Sequence, residues 1–436
     1  MSTAPPAALP TPPARPALPA PPPPSSRSVV LALSFVASLA AGVATNGIYF
    51  LNKIEYQFTT LQNYAVGLLV GLTYIASASF AGRFISILRR RFPGLSTRAI
   101  LCALLSSMGL LCLLPTIAGA LTPGGRAAWS VWLFIGLYSP ATGILWPVVE
   151  SFLAGGRSGE ELRRTTGSWN VAWSASLVVG IWGISPLLEK HAPLILILLV
   201  PIHLLAAAIS FKLGREPGIH LPEHHEPHPQ VYHQLLVTFR LMLPMSYVVT
   251  ASLGPYIPSA MAQLEVPTHW HTILGAWWLL PRSLGFWFMQ HWQGWHGKWS
   301  TAVLAVLLVI SGFAASVMAP ASVGVLGSRA AALWLMVAGL TVFGAGIAVV
   351  YSAAIYYALE VGQAEVDAGG KHEALIGAGY TLGPMCGMLA SYAVQQGIIP
   401  ESRFNAAVLG GVGVVVLLVG IEVLRRVFGR PAPDVH

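Results

Sequence analysis

Residues 29–43 read VVLALSFVASLAAGV, a run with no charge and with two serines as its only hydrogen-bonding side chains. A strand facing lipid would alternate apolar and polar residues, and this run does not. It is expected to be a helix that satisfies its own backbone inside a bilayer. Stretches near the roughly 20 residues needed to cross hydrocarbon recur along the chain. Twelve are expected, at about 29–50, 65–88, 99–121, 129–153, 168–188, 193–213, 235–262, 270–291, 300–323, 329–358, 372–395 and 404–428. Composition agrees: 55% of the 436 residues are hydrophobic and 9% charged, against roughly a quarter charged in a water-soluble domain. The fold class is all-α, a polytopic membrane protein.

Arginines mark one side of the bilayer. Arg83, Arg89, Arg90, Arg91 and Arg98 follow the second span, Arg157, Arg163 and Arg164 the fourth, Lys212, Arg215 and Arg240 the sixth, and Arg425, Arg426 and Arg430 the twelfth. The other loops carry little charge, such as Lys53 with Glu55 and Arg403 beside Glu401. Both termini are therefore expected in the cytoplasm, with the protein integral to the cell (plasma or inner) membrane. The net charge of +8 is a topology signal; basic residues dispersed among loops speak against nucleic-acid binding.

Residues 1–28 hold eleven prolines and are expected to be a disordered tail. A signal peptide followed by cleavage after the first span is rejected, because it would spoil the charge alternation. The polar interval 214–234 separates a bundle at 29–213 from one at 235–428, with a short tail at 429–436. Its histidines, His220, His224, His225, His228 and His233, are interrupted by prolines. Nothing there fixes a tetrahedral site, so a flexible linker is expected over a metal sensor. Cys102, Cys112 and Cys386 fall within spans and act as small apolar residues. Neither a metal nor a cofactor is expected. The sequence HEALI at 372–376 lacks the second histidine of a zinc-protease helix, and no phosphate-binding GxxxxGK[ST] loop occurs.

One charge stands out. In LLPRSLGF, 279–286, Arg282 is the only Asp, Glu, Lys or Arg between Glu265 and Lys298. It falls near the middle of the eighth span, where exposure to lipid costs at least ~2.5–3.5 kcal/mol. It must face protein or water. Gly275, Trp278, Arg282, Gly285 and Met289 share a helix face: the glycines leave room, Trp278 is placed to stack on the guanidinium, and Pro281 weakens the local helix. Two roles are open. One is an ion pair to Glu150 or Glu360 that locks two halves together; the other is a fixed cation for an anionic substrate.

Further candidates are Asn46 and Tyr49 in the first span, Asn170 with Trp173 and Ser174 in the fifth, and Tyr351, Tyr357 and Glu360 in the tenth. The tyrosines are read equally as an interfacial belt, and Asn170 and its neighbours as polar contacts between helices. In the fourth span, Gly136, Pro140, Gly143, Pro147 and Glu150 recur on one face, for bending or for close packing. Gly254, Pro255 and Pro258 interrupt the seventh span as gating helices require. His203 and Glu422 are expected to be structural.

Twelve spans as six plus six, basic ends and a long central interval resemble the major facilitator superfamily over nearly everything after residue 28. Its loop motif GxxxDRxGRR is partly met by GRFISILRRR, with Gly82, Arg90 and Arg91 kept, Ser86 at the acidic position and Arg89 at the second glycine. The counterpart QGWHGKW keeps Gly297 and Lys298. Gly379, Gly383, Pro384 and Gly387 form GxxxGPxxG in the eleventh span, similar to a motif the family carries in its fifth. The resemblance implies a secondary transporter of a small solute working by alternating access, not an enzyme, with spans 1, 4, 7 and 10 around the cavity. Protons or sodium are the expected coupling ions, the bilayer and a small molecule the partners, and the monomer the working unit. The alternatives are a non-transporting receptor or assembly factor on the same fold, and a drug or sugar efflux permease without anion preference.

Overall fold

The computed structural model describes residues 23–124, 127–219, 229–361 and 367–428. Most of the proline-rich tail, the histidines of the linker except His233, and the C-terminal tail lie outside them. Every regular element among the described residues is helical. Eleven helices are long and apolar enough to cross a membrane. They are α1 (Arg27–Ile54), α2 (Thr60–Arg91), α3 (Thr97–Leu121), α4 (Ala128–Ala154), α5 (Gly159–Leu188), α6 (Ala192–Ser210), α7 (Gln230–Leu253), α9 (Trp299–Met318), α10 (Arg329–Glu360), α11 (Asp367–Gln395) and α12 (Phe404–Phe428).

The twelfth expected span is present but broken. The short helix His271–Gly275 gives way to a turn over Ala276–Trp278, and α8 resumes as Leu279–His291. Pro281 explains the position. A proline has no N–H for the carbonyl four residues back and its ring crowds that carbonyl, which here is that of Trp277. Trp277 O instead accepts from Leu280 N at 3.1 Å, a tighter turn. The same reasoning covers α7, which stops at Leu253 and restarts as Ile257–Gln263, with Pro258 four residues after Gly254. Prolines alone do not suffice: α4 runs unbroken through Pro140 and Pro147, and α11 through Pro384. The first span carries a wider turn instead, a π-helical segment over Val43–Gly47.

α1 packs on α5 and α6, α2 on α4, and α3 on α6; later, α7 packs on α10, α11 and α12, and α9 on α10. Between these groups the main contacts are α2 against α11 and α5 against α8, the second and fifth helices of each six. The α2–α11 seam is close. A Cβ on Gly71 would overlap the Tyr380 backbone, and one on Gly387 would overlap the Tyr64 ring. The small residues bring the two backbones together, as membrane helices favour. The α5–α8 seam is more polar, with Ser174 Oγ 2.7 Å from Ser283 Oγ.

Candidate functional site

A cavity of about 120 Å³ lies between the first and last six spans. The π-helical turn of α1 contributes Thr45 and Asn46, and Tyr49 follows one turn on. π-Turns of this kind occur often at functional positions. Spans 1, 4, 7 and 10 all reach the cavity, through Asn46, Trp146, Tyr247 and Tyr351, as the resemblance implied; α2, α5 and α11 add Tyr74, Trp173 and Tyr380.

At the faces without the arginine clusters the halves are closed. Tyr49 packs on Gly254, Phe50 on Gly275, the Trp182 and Trp277 rings stack at 5.7 Å, and Thr60 Oγ1 meets Ser259 Oγ at 2.8 Å. Toward the basic face lies a vestibule of about 660 Å³, bordered by Arg27, Arg163, Arg164, Glu160, Glu360 and Asn170. Burial lowers the pKa of His296, in the loop after α8, so this histidine adds no charge to the vestibule at neutral pH. Three rings from both halves separate vestibule and cavity: Trp173 lies 5.7 Å from Phe286 and 5.6 Å from Tyr351, and Phe286 5.4 Å from Tyr351.

Arg282 sits against this cluster, 4% exposed. Its guanidinium carbon is 4.7 Å from the Trp173 ring, 4.8 Å from Trp278 and 5.9 Å from Phe286. Nε donates to Ser174 Oγ at 3.0 Å, and Nη2 has no hydrogen-bond partner. The ion pair considered from sequence does not form among the described residues. Glu360 instead bonds Arg163 at 3.0 Å across the vestibule, and Glu150 turns to another acid. The cation is held by ring faces and one hydroxyl.

That other acid is Glu373. It is 5% exposed, borders the cavity, accepts a hydrogen bond from the Tyr74 hydroxyl and lies beside Glu150. Glu150 and Tyr74 belong to the first six spans and Glu373 to the last six, so the contact ties the halves together. Glu373 is the residue that sequence reasoning missed.

The remaining candidates divide. Asn46 and Tyr49 line the cavity. Asn170 borders the vestibule and its Oδ1 accepts from Trp173 Nε1 at 3.2 Å. Trp278 caps α8 and covers Arg282. Tyr357 lies away from both spaces, its hydroxyl accepting from Gly297 N at 2.8 Å and its ring stacked on Phe239. Gly143 packs against the Tyr74–Ala78 backbone within the first six spans, and Gly383 against α7. Pro384 touches the position of Gly67 across the α2–α11 seam. Gly254, Pro255 and Pro258 surround the break after α7. His203 is structural, with Nε2 2.8 Å from the Tyr138 hydroxyl.

No family model matches the chain, and no curated protein matches it in sequence. Solved structures do match. The nucleoside transporter NupG aligns with 93% of this chain and 99% of its own, at TM-score 0.61 and 13% identity. A bacterial homologue of the human lysosomal transporter Spinster, inward-facing and unoccupied, aligns with 94% and 99%, at TM-score 0.61 and 15% identity. At these identities the likeness is one of fold. It is the major facilitator fold that the sequence resembled.

Proposed function

We propose that the chain is a secondary transporter of a small anionic solute in the cell membrane, with its basic face toward the cytoplasm. The observation that carries this reading is Arg282, a buried cation at the junction of the two halves with Nη2 unpartnered and no ion pair among the described residues. A buried charge without a counter-ion is costly. Cation–π contacts, each worth about 0.5–2 kcal/mol, offset part of that cost and leave the fork available to a carboxylate or phosphate. Similarity to NupG and the Spinster homologue supports the carrier role, and a cavity and a vestibule separated by a ring cluster from both halves support alternating access by rocking of 29–213 against 235–428.

Protons are the coupling ion in this reading, held at the Glu150–Glu373 contact; Glu360 is occupied by Arg163. Flux of organic anions into proteoliposomes tests the whole. Uptake that follows an imposed pH gradient and vanishes with Arg282→Gln supports it. Normal transport of neutral or cationic solutes by that variant removes the anion, and uptake indifferent to pH removes the proton. A purified chain that moves nothing yet binds a protein partner is a receptor or assembly factor.

A further inference from the structure

We propose that the solute is a single-ring organic anion, an aryl carboxylate in chemical class, bound with its ring among the cavity's aromatic side chains and its charged end toward Arg282. This rests on the anion reading above and adds size, shape and orientation to it.

Size comes from the cavity. Its volume of about 120 Å³ is near the roughly 150 Å³ of an apolar cavity that holds benzene, and well below the ~300–1,000 Å³ of sites for drug-sized molecules. One six-membered ring with a small substituent fits; a fused bicycle does not.

Shape comes from the walls. Tyr49, Trp146, Trp173, Tyr247, Tyr351 and Tyr380 bring rings from six different spans, and several already meet edge to face, Tyr247 with Tyr380 at 5.2 Å and Trp173 with Tyr351 at 5.6 Å. A flat ring inserted there continues this edge-to-face and offset packing, which an aliphatic group of equal volume does not.

Orientation comes from the two charged ends. Glu373 already receives the Tyr74 hydroxyl and lies beside Glu150, so that end presents an anion with acids and no cation. At the other end Trp173 both lines the cavity and covers the Arg282 guanidinium, with Nη2 free behind it. A small displacement of the indole places a carboxylate on the arginine.

The test is equilibrium binding to the full-length chain in nanodiscs, with radiolabelled benzoate displaced by unlabelled benzoate, cyclohexanecarboxylate, acetate, benzamide and 2-naphthoate. The expected result is saturable benzoate binding, with cyclohexanecarboxylate weaker by roughly 3- to 10-fold and acetate, benzamide and 2-naphthoate weaker still. Arg282→Gln abolishes the binding, Arg282→Lys weakens it, and Trp173→Leu narrows the gap between the two six-membered rings. Size-exclusion elution matching the wild type certifies each variant as folded. Equal binding of acetate and benzoate, both lost in Arg282→Gln, overturns the ring while the anion reading stands. Benzamide binding as well as benzoate, unaffected by Arg282→Gln, overturns both. Tight binding of 2-naphthoate overturns the size limit, and a folded chain that binds none of the probes overturns the proposal outright.

Discussion

Arg282 and Glu373 are both nearly inaccessible to solvent, and both lie where the first six spans meet the last six, yet they settle their charge differently. Glu373 is met within the protein by the Tyr74 hydroxyl and by Glu150. Arg282 is surrounded by ring faces and a single hydroxyl, and its Nη2 remains open. A group whose bonds are complete holds the structure in one state, whereas a group left incomplete is ready for something that arrives. On the proposed function, the contrast places the proton at Glu373 and the anion at Arg282.

The largest effect expected from breaking this contrast is at Arg282. Arg282→Gln should lower transport on the order of 100-fold or more, the loss of charged hydrogen bonds to an anion, while the chain still inserts and elutes as wild type. Adding Glu150→Gln should restore nothing, because no pair joins the two residues. Recovery in that double variant, measured as flux in proteoliposomes, would reinstate the ion-pair lock.

Next comes Glu373→Gln. The amide still accepts from Tyr74 and is able to donate to Glu150, but it carries no titratable proton. Exchange of solute across the membrane should continue, but accumulation driven by a pH gradient should fall by the coupling between the two ligands, roughly 5- to 150-fold. Gradient-driven accumulation at wild-type level would deny the acid pair its role.

A smaller change tests whether the α2–α11 seam matters mechanically. Gly71→Leu must push α2 away from the Tyr380 backbone, with a cost of about 1–3 kcal/mol typical of overpacking. A lower unfolding temperature in detergent is expected. An unchanged midpoint would show that the seam is loose. Smallest of all is Arg163→Gln. Its bond to Glu360 is partly exposed, 35% on the arginine side, so about 0–1 kcal/mol is at stake. A change of a few-fold in transport rate, shrinking at high salt, is expected; abolition of transport would make the bridge a gate.

The spans were legible because lipid tolerates so few solutions: a run such as 29–43 has no other way to satisfy its backbone. Arg282 was legible for the same reason, a charge in a stretch that could not afford one. The break in α8 was half legible. Pro281 announced a weakness, but the turn lies upstream at Ala276–Trp278, since a proline disturbs the carbonyl four residues earlier. Glu373 was hidden by position. It stands second in HEALI, at the start of the expected span, but α11 begins at Asp367 and carries it nearly two turns inward. Its partner Glu150 was noticed on a face with Pro147 and Gly143, though nothing local says that this face meets α11. Contacts between residues more than 200 positions apart depend on how helices dock, and periodicity within one helix does not report that.

The ring cage around Arg282 also bears on how such a protein can change over evolutionary time. Had the arginine been paired with a buried acid, losing it would strand the partner, a penalty of about 3–5 kcal/mol, and two coordinated codon changes would be needed. With Trp173, Trp278 and Phe286 as neighbours, a neutral side chain at position 282 leaves no orphan behind. On the proposed anion reading, a single mutation there removes the binding charge while the chain still folds.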